Sequence, residues 1–131
     1  MDSALALIEA VIATLKADTA LAALVGDRVY TDVQQKAAFP YLVISVDSEA
    51  FAANDFSGQS HSLRLQAFSQ KPAVTEALGI RKAALEALDR KEGDIALSGL
   101  VKCEYSGSST MFQEDDGKTW QAIGEIEVIV V

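Results

Sequence analysis

The chain holds one histidine, His61, and one thiol, Cys103, so nucleophilic or soft-metal chemistry would have to pass through these two residues. A Cys–His dyad needs a thiol whose pKa is lowered by a helix N-terminus or a cationic cluster, and the residues around Cys103 promise neither. Cys103 reads as a buried structural cysteine and His61 as a hairpin-edge histidine. One histidine and one cysteine are too few to hold zinc, and no metal or cofactor is expected. Asp115-Asp116 and Glu125 with Glu127 are paired carboxylates, the grouping that general acid–base chemistry or a hard cation uses. Both have plainer roles. Asp116-Gly117 matches a type I′ hairpin turn, and alternate glutamates on a half-exposed strand form its wet face. Ser106-Gly107-Ser108-Ser109 lacks the surroundings of a nucleophile elbow or a Walker loop and reads as a flexible connection. Asp27-Arg28 could reach a partner, yet after Gly26 they more simply end a helix and start a strand. No catalytic residue is expected.

The remaining candidate is a contact site. Phe51-Ala52-Ala53-Asn54-Asp55-Phe56 lies where a hairpin tip is predicted, and two phenylalanines there would expose apolar surface far from the core. The alternative is that the tip folds back and buries them. Phe51, Asn54, Asp55 and Phe56 are therefore the candidate interface residues.

The elements that would position these residues follow from periodicity. Leu5, Ile8, Ile12 and Leu15, widened by Leu7 and Val11, predict a first helix over residues 3–16, with Asp2 or Ser3 as its N-cap. Asp18 caps a short second helix over 20–24, which Gly26 closes, and Val29-Tyr30 begins extended structure. Tyr41–Val46 is apolar on both faces and reads as a central strand. His61–Ser69 alternates as a second strand, the two forming a long hairpin whose tip spans residues 51–58. Pro72 suits the first turn of a third helix that ends near Arg90 and carries the stripe Val74, Leu78, Arg81, Leu85 and Leu88, with Ala77 and Ala84 beside it. Gly79 inside it costs about 1 kcal/mol relative to Ala, tolerable where another backbone packs closely. Strands are then expected at 95–97, 100–105, 111–114 and 118–131. In the last, Ala122, Gly124, Ile126, Val128 and Val130 share one face, and Gln121, Glu125 and Glu127 the other.

Size and charge bound the function. A chain of 131 residues is expected to form a single domain over 1–131 with one core, and its lone cysteine allows no internal disulfide. The net charge of −8 repels phosphate polymers and anionic membranes, which disfavours gripping DNA but allows a passage through which DNA slides. Half the residues are hydrophobic, yet 21 of the 131 are alanines, which favour helix and add little membrane affinity. Asp2 and Glu9 stand where a signal peptide would be basic, and no apolar run is long enough to span a bilayer, so a cytoplasmic location is expected.

Four segments carry a family resemblance by their order and spacing: Leu21–Tyr30, Phe39-Pro40-Tyr41 before an apolar strand, Leu63-Arg64-Leu65-Gln66-Ala67-Phe68-Ser69 before an amphipathic helix, and Asp116-Gly117-Lys118. The chain resembles, over nearly its whole length, the tail completion or tail terminator proteins of long-tailed phages, prophages and gene transfer agents. The resemblance implies an α+β fold, with N-terminal helices and one central amphipathic helix on a mostly antiparallel, or mixed, sheet that includes the long hairpin. It implies a ring of six copies that caps the tail tube, stops its polymerisation and meets the head connector, with no catalytic residues. The partners would be copies of itself, the tail tube protein and the head–tail connector protein, with DNA only as passing cargo and no membrane. Assembly would take place in the host cytoplasm and the product would sit at the head–tail junction of a particle. Under that reading the hairpin tip is a contact surface, and Glu125 and Glu127 line the channel. The rival reading is a small non-catalytic α+β domain that binds a ligand or a protein.

Overall fold

The computed structural model describes residues 3–32, 38–53 and 56–131. Helices α1 (Ala4–Ala17) and α2 (Thr19–Val25) precede a two-residue strand, β1 (Val29–Tyr30). The hairpin of β2 (Tyr41–Ala53) and β3 (Phe56–Ser69) leads into α3 (Thr75–Leu88), and a second hairpin follows, β4 (Leu100–Gln113) with β5 (Trp120–Val130). The strands form one sheet in the order β1-β2-β3-β5-β4. All neighbours are antiparallel except β1, which runs parallel to β2. This is the α+β fold expected from the sequence, and its sheet is mixed.

Alternation along the strands decides which face is buried. Leu42, Ile44, Leu63, Leu65, Ala122 and Ile126 share one face and are wholly buried. Helix α1 packs on β2, and α3 packs across β3 and β5. A smaller cluster sits on the opposite face at the start of β2, where Tyr41, Val43 and Phe68 are buried together with Phe39 and Tyr30 packed around them. The Tyr41 and Phe68 rings stack with centroids 4.8 Å apart. That cluster explains why β2 is apolar on both faces although only the two residues of β1 flank it. The central strands are β3 and β5.

Several local expectations change. In α1 the buried stripe is Leu7, Val11 and Leu15, and Leu5 is 69% exposed, because the sheet meets the helix one face round from the predicted stripe. Ser3 stands at the N-cap, its carbonyl accepting from the Leu7 amide, but its side chain makes no capping hydrogen bond, the hydroxyl being engaged with Gln59 and His61; Asp2 lies outside the described residues. In α3 the buried positions are Ala77, Ile80, Ala84 and Leu88, whose two alanines let the helix approach the sheet closely, leaving Leu78 and Leu85 on the flank. Pro72 precedes α3 in a bend, and the helix starts three residues later. Asp18 does cap α2, its Oδ2 accepting from the Leu21 N–H at 3.0 Å, and Gly26 closes it at φ +63°. Ile95 is buried but lies in a turn, so no strand forms at 95–97.

The two glycines beneath and within α3 differ in kind. Gly124 on β5 faces Leu85, whose methyl carbons would lie 3.1 and 3.2 Å from an added Cβ. Gly79 faces open space, so no backbone packs against it and its conformational cost has no local return. Gly79→Ala should therefore stabilise the fold by about 0.5–1 kcal/mol, and Gly124→Val should destabilise it by about 1–3 kcal/mol through overpacking. Urea unfolding of both variants against wild type checks the opposite signs.

Candidate functional site

His61 and Cys103 both face the helix side of the sheet, but Val128 of β5 stands between them in register. Two strand spacings put their backbones about 10 Å apart, beyond the reach of a dyad. His61 is fully buried, with Nε2 2.8 Å from the Ser3 hydroxyl and Nδ1 2.7 Å from the Ser48 hydroxyl. It ties the start of α1 to the hairpin rather than sitting at an exposed edge. The Cys103 thiol donates to the Leu88 carbonyl at 3.2 Å. Burial first, then the carboxylates of Glu92 and Asp89, push its pKa up to about 12, the opposite of what a nucleophile needs. Among the described residues no group of His, Cys, Asp and Glu could hold a metal ion, and no helix is long and apolar enough to cross a membrane.

The turn residues resolve as structural parts. Asp116 does not adopt positive φ, so the expected type I′ turn is absent; Gly117, at φ +69°, takes the left-handed position in a longer loop closed by the Glu114 N–H donating to the Thr119 carbonyl. Asp116 staples that loop, Oδ1 accepting from the Lys118 and Thr119 amides at 2.8 Å and Oδ2 from the Thr119 hydroxyl at 2.7 Å. Ser106–Ser108 is no loose connection. It is a bulge within a continuous β4, where the register slips between Tyr105↔Ile126 and Ser109↔Gly124 and Gly107 has φ +83°. Arg28 fastens β1, its Nε donating to the Pro40 carbonyl at 2.8 Å.

The surfaces that remain are contact surfaces. The β2–β3 ladder continues to Ala53↔Phe56, so residues 51–58 are paired strand ends rather than an open tip. Phe51 is half-buried, opposite Gly58, with its ring edge 3.2 Å from where a Gly58 Cβ would be. It lines a groove of about 380 Å³ with Leu97 and Val130. Asn54 and Asp55 lie outside the described residues, as does the side chain of Phe56. Glu125 and Glu127 stand on the sheet face opposite the helices, paired with Arg64 at 3.6 Å and Lys102 at 3.4 Å. Among the described residues of β2 to β5 that face also carries Asp47, Glu49 and Glu104, hence five carboxylates against two cations along the strands.

Sequence reasoning expected strands at 100–105 and 111–114 but missed that they form one strand whose outer half is an open surface. Tyr105, Met111 and Phe112 are exposed there, and every residue from Tyr105 to Gln113 lies open on the surface. The signal was available: residues 106–113 show no apolar alternation, so neither face of that half-strand has a core to fill.

The model of the tail completion protein gp17 family matches residues 9–131. The chain belongs to that family. It is accordingly a structural protein of phage-type tails, as the resemblance in its sequence implied. A chain from the virion of a native gene transfer agent particle shares the fold at a TM-score of 0.81 and 22% identity, covering 93% of this chain and 92% of the other. Among curated protein sequences, none matches.

Two outcomes follow from the family member's side chains. Cys103 should react with a thiol reagent at neutral pH at least about 100-fold more slowly in the native than in the urea-unfolded chain. Its raised pKa contributes stability that is complete below the ordinary value of 9.0 and is lost as pH climbs toward about 12, which an alkaline melting series reads. Asp116 runs the other way. Hydrogen bonds from the Thr119 hydroxyl and amide, then from the Lys118 amide, lower its pKa below the ordinary 3.8, so its contribution is complete above 3.8 and lost as pH falls through the native value. Asp116→Ala should melt below wild type at pH 7, and the gap should shrink in strong acid.

Proposed function

We propose that this chain is the tail terminator of a phage-like particle. Six copies form a ring at the head-proximal end of the tail tube, stop tube polymerisation and present a surface to the head connector. The observation that carries this reading is the family match over residues 9–131 on a sheet that helices cover on one face only. A ring around a DNA passage needs a wall that does not bind phosphate, and the helix-free face, with five carboxylates against two cations, supplies one. Glu125 and Glu127 line that channel. The end of the β2–β3 hairpin, with Phe51, Asn54, Asp55 and Phe56, meets the tail tube. DNA is cargo, and assembly runs in the host cytoplasm without membrane.

Purified protein added to polymerising tail tube protein should appear at tube ends in negative-stain images and shorten the length distribution. Protein absent from tube ends, with tube length unchanged, sinks the reading. Glu125→Lys with Glu127→Lys should still cap tubes while lowering DNA delivery by assembled particles at least about tenfold, because a basic wall holds phosphate. Unimpaired delivery removes these two residues from the channel.

A further inference from the structure

We infer that copies of this chain join edge to edge, the outer half of β4 in one copy pairing with the outer half of β2 in the next. The inference rests on the ring reading and names its interface.

Both ends of the sheet are half sealed. At the start of β4 the outward-facing groups already have partners: the Cys103 amide donates to Glu92 at 3.0 Å, the Tyr105 amide to Asp89 at 2.8 Å, and the Cys103 carbonyl accepts from the Arg90 amide at 2.6 Å. Beyond the bulge no strand or helix of the described residues pairs with the edge, and the Arg81 guanidinium of α3, 2.9 Å from the Thr110 carbonyl, meets a group turned toward β5. The Glu114 amide bonds toward β5, so alternation turns the amides and carbonyls of Gln113, Met111 and Ser109 outward. At the other end, β1 covers β2 only at Leu42 and Val43. The Leu42 amide bonds outward to Arg28, so Val46, Ser48, Ala50 and Ala52 also direct their backbone groups outward, with no pairing strand among the described residues. Proteins that leave strand edges open and uncovered present a template for another strand.

Three features make a second copy the occupant. First, β2, β3, β5 and β4 are four antiparallel strands, so the outward-bonding residues at both edges lie on the helix side, and the two edges match face to face in an antiparallel pair. Second, β2 carries Asp47 and Glu49 along its open half, and β4 carries no charge from Ser109 to Gln113. Two β2 edges would oppose carboxylates; β2 against β4 would not. Third, the open halves lie at diagonally opposite corners. Met111 is level with Leu42 across the sheet, so seating Met111 beside Ser48, clear of β1, staggers each copy by six residues. That is about 20 Å along the strands over about 19 Å across four strand spacings, a tilt of about 45°, at the upper end of the range in which closed sheets form. The pairing is heterologous, and repeated around an axis it closes a ring with the helices outside and the acidic face inside.

The test uses proline, which removes an outward amide without touching the internal ladder. Met111→Pro and Ala50→Pro should each stay folded by circular dichroism and melting, and each should raise the half-assembly concentration more than about tenfold, as loss of one or two backbone hydrogen bonds with a steric block requires. Mixed one to one, they should form a heterodimer and no ring, since each keeps one sound edge. Glu49→Cys with Thr110→Cys, a non-hydrogen-bonded pair in this register, should oxidise assembled protein to a ladder of linked chains. A wild-type ring that survives either proline, or yields no heterodimer and no ladder, overturns the edge pairing and leaves the ring standing. Wild type that stays monomeric in solution and on tube ends overturns both.

Discussion

Burial of one face of the sheet under α1 and α3 is the constraint on which the rest of this structure depends. The alternating residues of β2, β3 and β5 deliver Leu42, Ile44, Leu63, Leu65, Ala122 and Ile126 to that face. The short side chains Ala77 and Ala84 on α3 and Gly124 on β5 let helix and sheet approach, with Leu85 laid over the glycine. Because side chains alternate, committing these residues inward commits Glu125, Glu127, Arg64, Asp47 and Glu49 outward to the bare face. The acidic surface is thus a consequence of the same register that builds the core, and a one-residue slip would exchange the two faces.

The same register dictates what happens at the edges. A sheet of four antiparallel strands has two open sides, and the chain treats their halves differently. The turn after α3 bends back, with Arg90 at φ +59°, to place two carboxylates and one amide on the start of β4. Holding a non-glycine residue in that conformation costs about 1 kcal/mol or more, which is explained if the edge must be closed there. No comparable device reaches the outward backbone groups of Ser109, Met111 and Gln113 among the described residues; Arg81 of α3 donates from Nη1 to the Thr110 carbonyl at 2.9 Å, a group that alternation turns toward β5. Selective sealing separates a protected edge from a usable one.

Much of this was legible in the sequence because it is local. The cap at Asp18, the stop at Gly26, the hairpin of β2 and β3 and the two-faced pattern of β5 are all written in neighbouring residues. The errors came where packing geometry intervenes. The buried stripe of α1 is centred on Val11 rather than Ile12 because the sheet, unseen in the sequence, meets the helix from that side. Leu78 and Leu85 looked like the core of α3, yet alanines occupy its centre, since hydrophobicity scales weigh side-chain size while close approach rewards its absence. The 106–109 segment read as loop because its composition is that of a turn, but β5 pairs with the strand on both sides of it, at Tyr105 and at Ser109, and so holds residues 106–108 as a bulge in a continuous β4. The candidate channel residues Glu125 and Glu127 were visible as alternation; their counterions Arg64 and Lys102, on two other strands, were not.

Those counterions bear on how an acidic wall works. The Arg64–Glu125 and Lys102–Glu127 pairs are partly exposed, so they add little stability and are weakened by salt. Their effect is on the field. Each cation lies within reach of a carboxylate that would otherwise stand alone, which lowers local repulsion between Glu104 and Glu127, directly opposite each other on β4 and β5. A face with carboxylates alone would strain its own sheet; a face with balanced charge would offer phosphate a foothold at each arginine or lysine. The observed excess of carboxylates, with both cations occupied by glutamates, keeps the strands together while leaving neither cation free to hold a phosphate backbone. For the channel wall proposed above, that compromise matters more than the total charge of the chain.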